Sequence, residues 1–200
     1  MKLLMSPASP FVRKVLVLLH ETDQIEDVSL QQVVAGPGNT EAVLKAANPV
    51  GKIPALVRDN GPTLYDSRVI CRFMDARAKA GLYPEQGWDA LVLEATGDAI
   101  CEAAVSIVYE ARFRPEEMQH APWTDAQWSK VESALDALGS RWMSHLEGPL
   151  DIGHIAVGCA LGYLDFRHDG RNWRKGRDAL ANWYGRFAER ESMQATIPEG

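Results

Sequence analysis

The chain has 200 residues, 46% of them hydrophobic, enough for one large globular unit or two smaller domains with their own cores, which excludes a disordered or disulfide-stapled chain. A formal charge of −6 and a pI near 5.4 give no electrostatic footprint for nucleic acid or an anionic membrane surface. Its three cysteines, Cys71, Cys101 and Cys159, are far apart in apolar, helix-like sequence, so neither a Cys-x-x-Cys redox motif nor a metal box is available and they read as core in a reducing cytosol.

Leu3 to Met5 reads as a short strand, Pro10 to Glu21 as an amphipathic helix with Val12, Val15, Leu16 and Leu19 on one side, and Glu26 to Val33 as a second strand. A short helix from Asn39 to Ala47 stops at Asn48-Pro49, because the residue before a proline is pushed out of the helical region. Ala55 to Arg58 and Pro62 to Tyr65 read as two strands around Asn60-Gly61, a dipeptide suited to a hairpin turn, and Asp66 to Lys79 as a closing helix. This order predicts a small mixed sheet with helices on its faces, a thioredoxin-like α/β domain over 1–79.

Residues 80–87 read as a linker, and 88–200 as an all-helical domain with segments over Trp88 to Glu116, Asp125 to Leu146, Ile152 to Phe166 and Gly176 to Glu191. Ile152 to Leu164 is apolar nearly all round, with Gly153, Gly158 and Gly162 leaving room for close approach, so it belongs at the centre of a bundle, with Asp151 as its N-cap. The stretch is too short to cross a bilayer, and the run at Leu3-Leu4-Met5 too short for a signal peptide, so a soluble cytoplasmic protein is expected. Arg167, Arg171, Arg174, Lys175 and Arg177 form a local basic cluster that reads as a solvated helix junction.

Three segments carry the chemistry. Ser9-Pro10 is an ordinary helix start, Ser9 as N-cap and proline in the first turn, yet the same geometry presents a hydroxyl at the positive end of a helix, where it donates to an anion such as a thiolate. Ile53-Pro54 stands between the turn Asn48-Pro49-Val50-Gly51 and a short apolar run; a cis bond there would expose backbone N–H and C=O groups to a peptide-like ligand, although taken singly an ordinary loop explains it better. Asp66-Ser67 caps the next helix, or reads the ammonium and carboxylate of an amino-acid head.

Together, Ser9-Pro10-Phe11-x-Arg13-Lys14-Val15, the run from Asn48 to Leu56 and Leu64-Tyr65-Asp66-Ser67-Arg68-Val69-Ile70 resemble the glutathione S-transferase family with a serine-type, tau- or theta-like active site. The resemblance spans essentially the whole chain and implies the family's two-domain architecture, glutathione as co-substrate, no metal and a symmetric homodimer. It implies Ser9 as the thiolate-stabilising serine, with Ser6 as the substitute. Ile53 and cis Pro54 would lie against the cysteinyl unit, Asp66 and Ser67 against the γ-glutamyl end, and Lys52 against the glycine carboxylate. Phe11, Tyr109, Arg112 and Phe113 are the candidates for the electrophile site, the last three recurring at helical spacing, although ordinary packing or surface exposure explains them as well.

In the central helix of the second domain the family has Ser or Thr followed three residues later by Asp, where this chain has Asp151 and His154. His154 is therefore expected not to complete the capping box, leaving a weaker or pH-sensitive helix start. His20, His120, His145 and His168 show no partner pattern. Trp183-Tyr184-x-x-Phe187 resembles the family's last helix, packed on the sheet domain. The resulting expectation is a transferase that joins the glutathione thiolate to a small, largely apolar electrophile. The alternatives are a glutathione-dependent peroxidase, or a non-catalytic adaptor or ligand carrier; a thiol reductase is disfavoured because it needs a cysteine where Ser9 stands.

Overall fold

In the computed structural model, which describes Met1–Gly200, Lys2–Met5 forms strand β1 and Pro10–Glu21 helix α1. Ser29–Gln32 forms β2, Ala42–Ala47 α2, Ala55–Val57 β3 and Ser67–Ala78 α3. The sheet order is β2-β1-β3, with β1 parallel to β2 and antiparallel to β3. Its core joins Leu3, Leu4 and Leu56 with Val12 and Val15 from α1 and Ile70 and Met74 from α3, all essentially inaccessible to water. Burying a side chain of this kind contributes roughly 1.5–3 kcal/mol.

Two expected strands come out shorter. The segment over Pro62 to Tyr65 reduces to one pair, in which Leu56 and Leu64 exchange backbone hydrogen bonds of 2.9 Å. Pro62 has no N–H to give a ladder on one side, and on the other Asp66 already caps α3. The second strand starts only at Ser29, because Ile25–Asp27 closes a 3-10 turn first.

Trp88–Phe113 forms α4, Ala121–Ala137 α5, Met143–Leu146 α6, Ile152–His168 α7 and Asp178–Ala188 α8. The helix expected to reach Glu116 stops at Phe113, since Pro115 forces Arg114 into the extended region. The one expected over Asp125 to Leu146 starts earlier and is interrupted by a π-helical turn at Leu138–Trp142. Glu191–Gln194 forms a further short helix, α9.

The chain divides into one unit of Met1–Pro84 with Glu191–Gly200 and a second of Glu85–Arg190. The last ten residues, assigned from sequence to the helical domain, therefore join the sheet unit, where Arg13 of α1 donates to the Met193 carbonyl at 3.0 Å. The Trp183-Tyr184-x-x-Phe187 segment finds its partners in the helical unit: Trp183 Nε1 donates to the Leu146 carbonyl at 2.6 Å, and its ring stacks on Phe187 at 4.9 Å.

Within that unit α7 is buried on all sides from Ile152 to Leu164 and lies along α4. A Cβ added at Gly97 of α4 would stand 2.6 Å from the carbonyl carbon of Ala156 on α7. Because the obstacle is backbone, it cannot swing aside. Gly97→Val is expected to destabilise the protein by about 2 kcal/mol, measured by chemical denaturation, despite the better helix propensity of valine.

Candidate functional site

Ser9 is the N-cap of α1, half-buried, with extended backbone (φ −84°, ψ 123°). Its N–H donates to the Ser6 carbonyl at 3.1 Å, its carbonyl accepts from Arg13 N–H at 3.0 Å, and its Oγ accepts from Val12 N–H at 3.3 Å. The helix thus occupies an acceptor position of the hydroxyl and leaves its proton available to a ligand. Ser6 lies outside the helix, in the turn before it.

The second segment is held by Asn48, which is 1% exposed. Its Nδ2 donates to the Lys52 carbonyl at 2.7 Å, and its Oδ1 accepts from Val50 N–H at 3.1 Å. Gly51 takes φ +65°, a conformation that glycine adopts without the Cβ clash. The loop therefore delivers Ile53 and Pro54 to the start of β3 in a fixed orientation. The Ile53–Pro54 bond is cis, Ile53 packs on the cluster of Leu4, Val33, Leu44 and Ala55, and the Lys52 side chain is exposed.

Asp66 caps α3, its Oδ1 accepting from Arg68 N–H at 3.0 Å, with Arg68 Nη2 3.5 Å from Oδ2. The Tyr65–Asp66 bond is also cis. Ser67 follows at the first position of the helix, 2% exposed.

Strand register brings these segments to one end of the sheet. Leu4 pairs with Ala55 at the last step of the ladder, so Met5, which leads into the turn before Ser9, and Pro54 lie just beyond it. Leu64 pairs with Leu56 on the other side of β3, two residues before Asp66. The chain thus leaves β1 toward Ser9, enters β3 from Ile53–Pro54 and leaves Leu64 toward Asp66–Ser67 at one end of the sheet.

The four electrophile-site candidates divide between the units. Phe11 is half-buried on α1, in the first. Tyr109, Arg112 and Phe113 are exposed on the last turns of α4, where the Tyr109 and Phe113 rings meet edge-on at 5.1 Å.

Sequence reasoning missed a cluster in the helical unit. His154 does complete the capping box, contrary to expectation: its Nδ1 accepts from Asp151 N–H at 3.2 Å, while an Asp151 oxygen accepts from His154 N–H at 3.2 Å. An imidazole nitrogen reaches as far as a carboxylate oxygen would. His145 joins from α6, its Nε2 2.6 Å from Asp151 Oδ2. The Asp151–His154 spacing was visible, but no local pattern marks His145, which is brought in by the turn before α7.

These three residues offer nitrogen and oxygen ligand atoms within 4.8 Å of one another. The His145–Asp151 and Asp151–His154 separations of 2.6 and 2.8 Å are hydrogen-bond distances. They fall short of the roughly 3.3 Å between ligands on a tetrahedral ion with bonds of about 2.0 Å. The cluster is read as a structural network.

Other titratable groups are committed elsewhere. Burial pushes the Tyr163 phenol up to about 12, and burial lowers His168, whose Nε2 lies 3.0 Å from the Ala104 carbonyl. Of the basic cluster, Arg174 grips Asp165 with Nη2 at 2.7 Å and Arg177 reaches Asp136 at 2.7 Å, while Arg171 lies over the Trp128 ring.

Two family models match the chain, the glutathione S-transferase N-terminal domain over residues 8–77 and the C-terminal domain over 121–186. The chain is 30% identical, over 99% of its length and 98% of the relative's, to the uncharacterized GST-like protein YibF of Escherichia coli K12. Among solved structures it is similar to a glutathione transferase family member from Pseudomonas fluorescens Pf-5 with bound glutathione, at 44% identity and a TM-score of 0.97, covering 100% of this chain and 99% of that one. A structure of a Pf-5 family member with bound S-(propanoic acid)-glutathione matches at 43% identity and a TM-score of 0.92, covering all of both chains.

Proposed function

Because the chain belongs to the glutathione S-transferase family, we propose that it binds glutathione as the thiolate beside Ser9 and joins the sulfur to a small, largely apolar electrophile. The observation that supports this reading is that the segments carrying Ser9, Ile53–Pro54 and Asp66–Ser67 all join the sheet at one end. Ser9 donates its free hydroxyl proton to the sulfur, and the N-terminus of α1 adds positive potential. Ile53 pairs its backbone with the cysteinyl unit at cis Pro54, Asp66 faces the γ-glutamyl ammonium, Ser67 with the first amides of α3 receives its carboxylate, and exposed Lys52 meets the glycine carboxylate.

In the reaction the sulfur lone pair forms a carbon–sulfur bond. Either a leaving group departs with its bonding electrons, or an activated double bond opens and takes a proton at the neighbouring carbon. Stabilisation of the thiolate and orientation of the two reactants supply the rate enhancement. The S-(propanoic acid)-glutathione bound to the Pf-5 relative is a thioether of the kind such a step produces, which supports conjugation over peroxide reduction. A symmetric homodimer in the cytoplasm belongs to the same proposal.

The test is the ultraviolet thiolate absorbance of bound glutathione across pH, followed by an electrophile screen. A depressed thiol pKa with turnover supports the reading. Binding without a depressed pKa favours a peroxidase or carrier, and absence of binding favours an adaptor. Asp66→Asn keeps the helix cap but removes the charge, and is expected to weaken glutathione binding by about tenfold in calorimetry while leaving the bound thiol's pKa in place.

A further inference from the structure

We propose that the segment Glu191–Gly200 is a clamp on α1, and that Arg13 is the positioning residue through which this clamp sets the Ser9 hydroxyl; the inference rests on the reading of Ser9 as thiolate donor. Arg13 lies one helical turn beyond Ser9, and its backbone N–H closes the first turn of α1 on the Ser9 carbonyl at 3.0 Å. Its side chain runs the other way, into the tail: Nη2 donates to the Met193 carbonyl at 3.0 Å and Nε to Thr196 Oγ1 at 3.4 Å. Thr196 is itself fixed, its hydroxyl donating to the Ser192 carbonyl at 2.7 Å. At the far end of α1, the Ser192 hydroxyl donates to Glu21.

The tail therefore grips both ends of the helix that presents Ser9. Arg13, Ser192, Met193 and Thr196 are all buried. A guanidinium held by acceptors some 180 residues away in sequence is an expensive way to pack a helix, since a methionine or leucine would fill the same space without a buried charge. What the guanidinium adds is direction. Its fork fixes the rotation of the first turn about the helix axis, and that rotation decides whether the Ser9 proton points at the sulfur. Misplacement of a catalytic group by about 1 Å can lower a rate by as much as 100-fold.

The experiment compares wild type, Ser9→Ala, Arg13→Met and Thr196→Val in the full chain, with thermal unfolding as the check on folding. Thr196→Val removes one hydroxyl without changing the side chain's shape and guards against an Arg13 variant that does not fold. Glutathione is titrated across pH by thiolate absorbance, and turnover with an electrophile is followed over the same range. Both tail variants are expected to leave the dissociation constant of glutathione within about twofold. They should lower kcat near neutrality by about three- to tenfold, and kcat should recover toward wild type at alkaline pH, where the thiol ionises without help.

A purely structural loss would lower kcat equally at every pH, which overturns the inference. If Ser9→Ala raises the bound thiol's pKa while Arg13→Met and Thr196→Val leave it in place, the clamp is wrong and the thiolate reading stands. If Ser9→Ala leaves it in place, both fall.

Discussion

Ser9→Ala is expected to return the thiol of bound glutathione to its free pKa of about 8.5 and to lower conjugation at neutral pH by roughly 10- to 100-fold, with a much smaller change in glutathione affinity. A hydroxyl hydrogen bond to a charged acceptor contributes roughly 1.5–3 kcal/mol, and about 1.4 kcal/mol is one pKa unit, so one donor accounts for a depression of about one to two units. Ser9 is placed for that role because its Oγ already accepts from Val12 N–H, which leaves the O–H as the outward-facing group. The substitution also removes a helix cap, worth about 1 kcal/mol of stability, and that loss must be separated from catalysis. Ser9→Gly makes the separation, because glycine caps within a few tenths of a kcal/mol of serine yet has no hydroxyl. If the hydroxyl matters, both variants lose the depressed pKa while only alanine loses stability. Should Ser6→Ala abolish the depression and Ser9→Ala spare it, the donor is Ser6.

The sequence is most transparent where one residue has one local job. Pro10 and Ser9 start α1, Asp66 starts α3 and Asn48-Pro49 ends α2, and the structure places these boundaries where the capping and proline rules put them. The three candidate site segments were equally legible, because each carries its own turn or cap. The points that escaped depend on distant partners. The Pro62 to Tyr65 strand shrinks to one pair because strand length is decided across the ladder, and β-propensity alone does not report it. The return of Glu191–Gly200 to the sheet unit brings Met193 and Thr196 to Arg13, and nothing local marks them as its acceptors. His154 was misjudged for a chemical reason: a capping box needs an acceptor at the right distance, and imidazole Nδ1 provides one.

Asp151→Ala is expected to lower stability by about 3 kcal/mol, seen as a fall of about 6–12 °C in Tm. Asp151 caps α7, the most deeply buried helix of its unit, and loss of such a cap alone costs about 1 kcal/mol. The same carboxylate holds His145 at 2.6 Å and accepts from the His154 backbone N–H at 3.2 Å, so its removal strands one imidazole and one buried amide. His154 Nε2 has no partner, so the ring is held on its other side, where Nδ1 accepts from the Asp151 N–H. Burial works to raise the Asp151 carboxyl, but the hydrogen bonds with His154 and His145 outweigh it and hold the group below its ordinary value. A folded-state pKa below the unfolded one means that the stabilisation is complete above the unfolded range and is lost as pH falls through the folded value. Asp151→Asn, which keeps the cap without a titratable group, should thus be less stable than wild type near neutrality, with a gap that narrows below about pH 4. A gap that persists unchanged to about pH 2 would show that the carboxylate's charge contributes nothing to holding the start of α7.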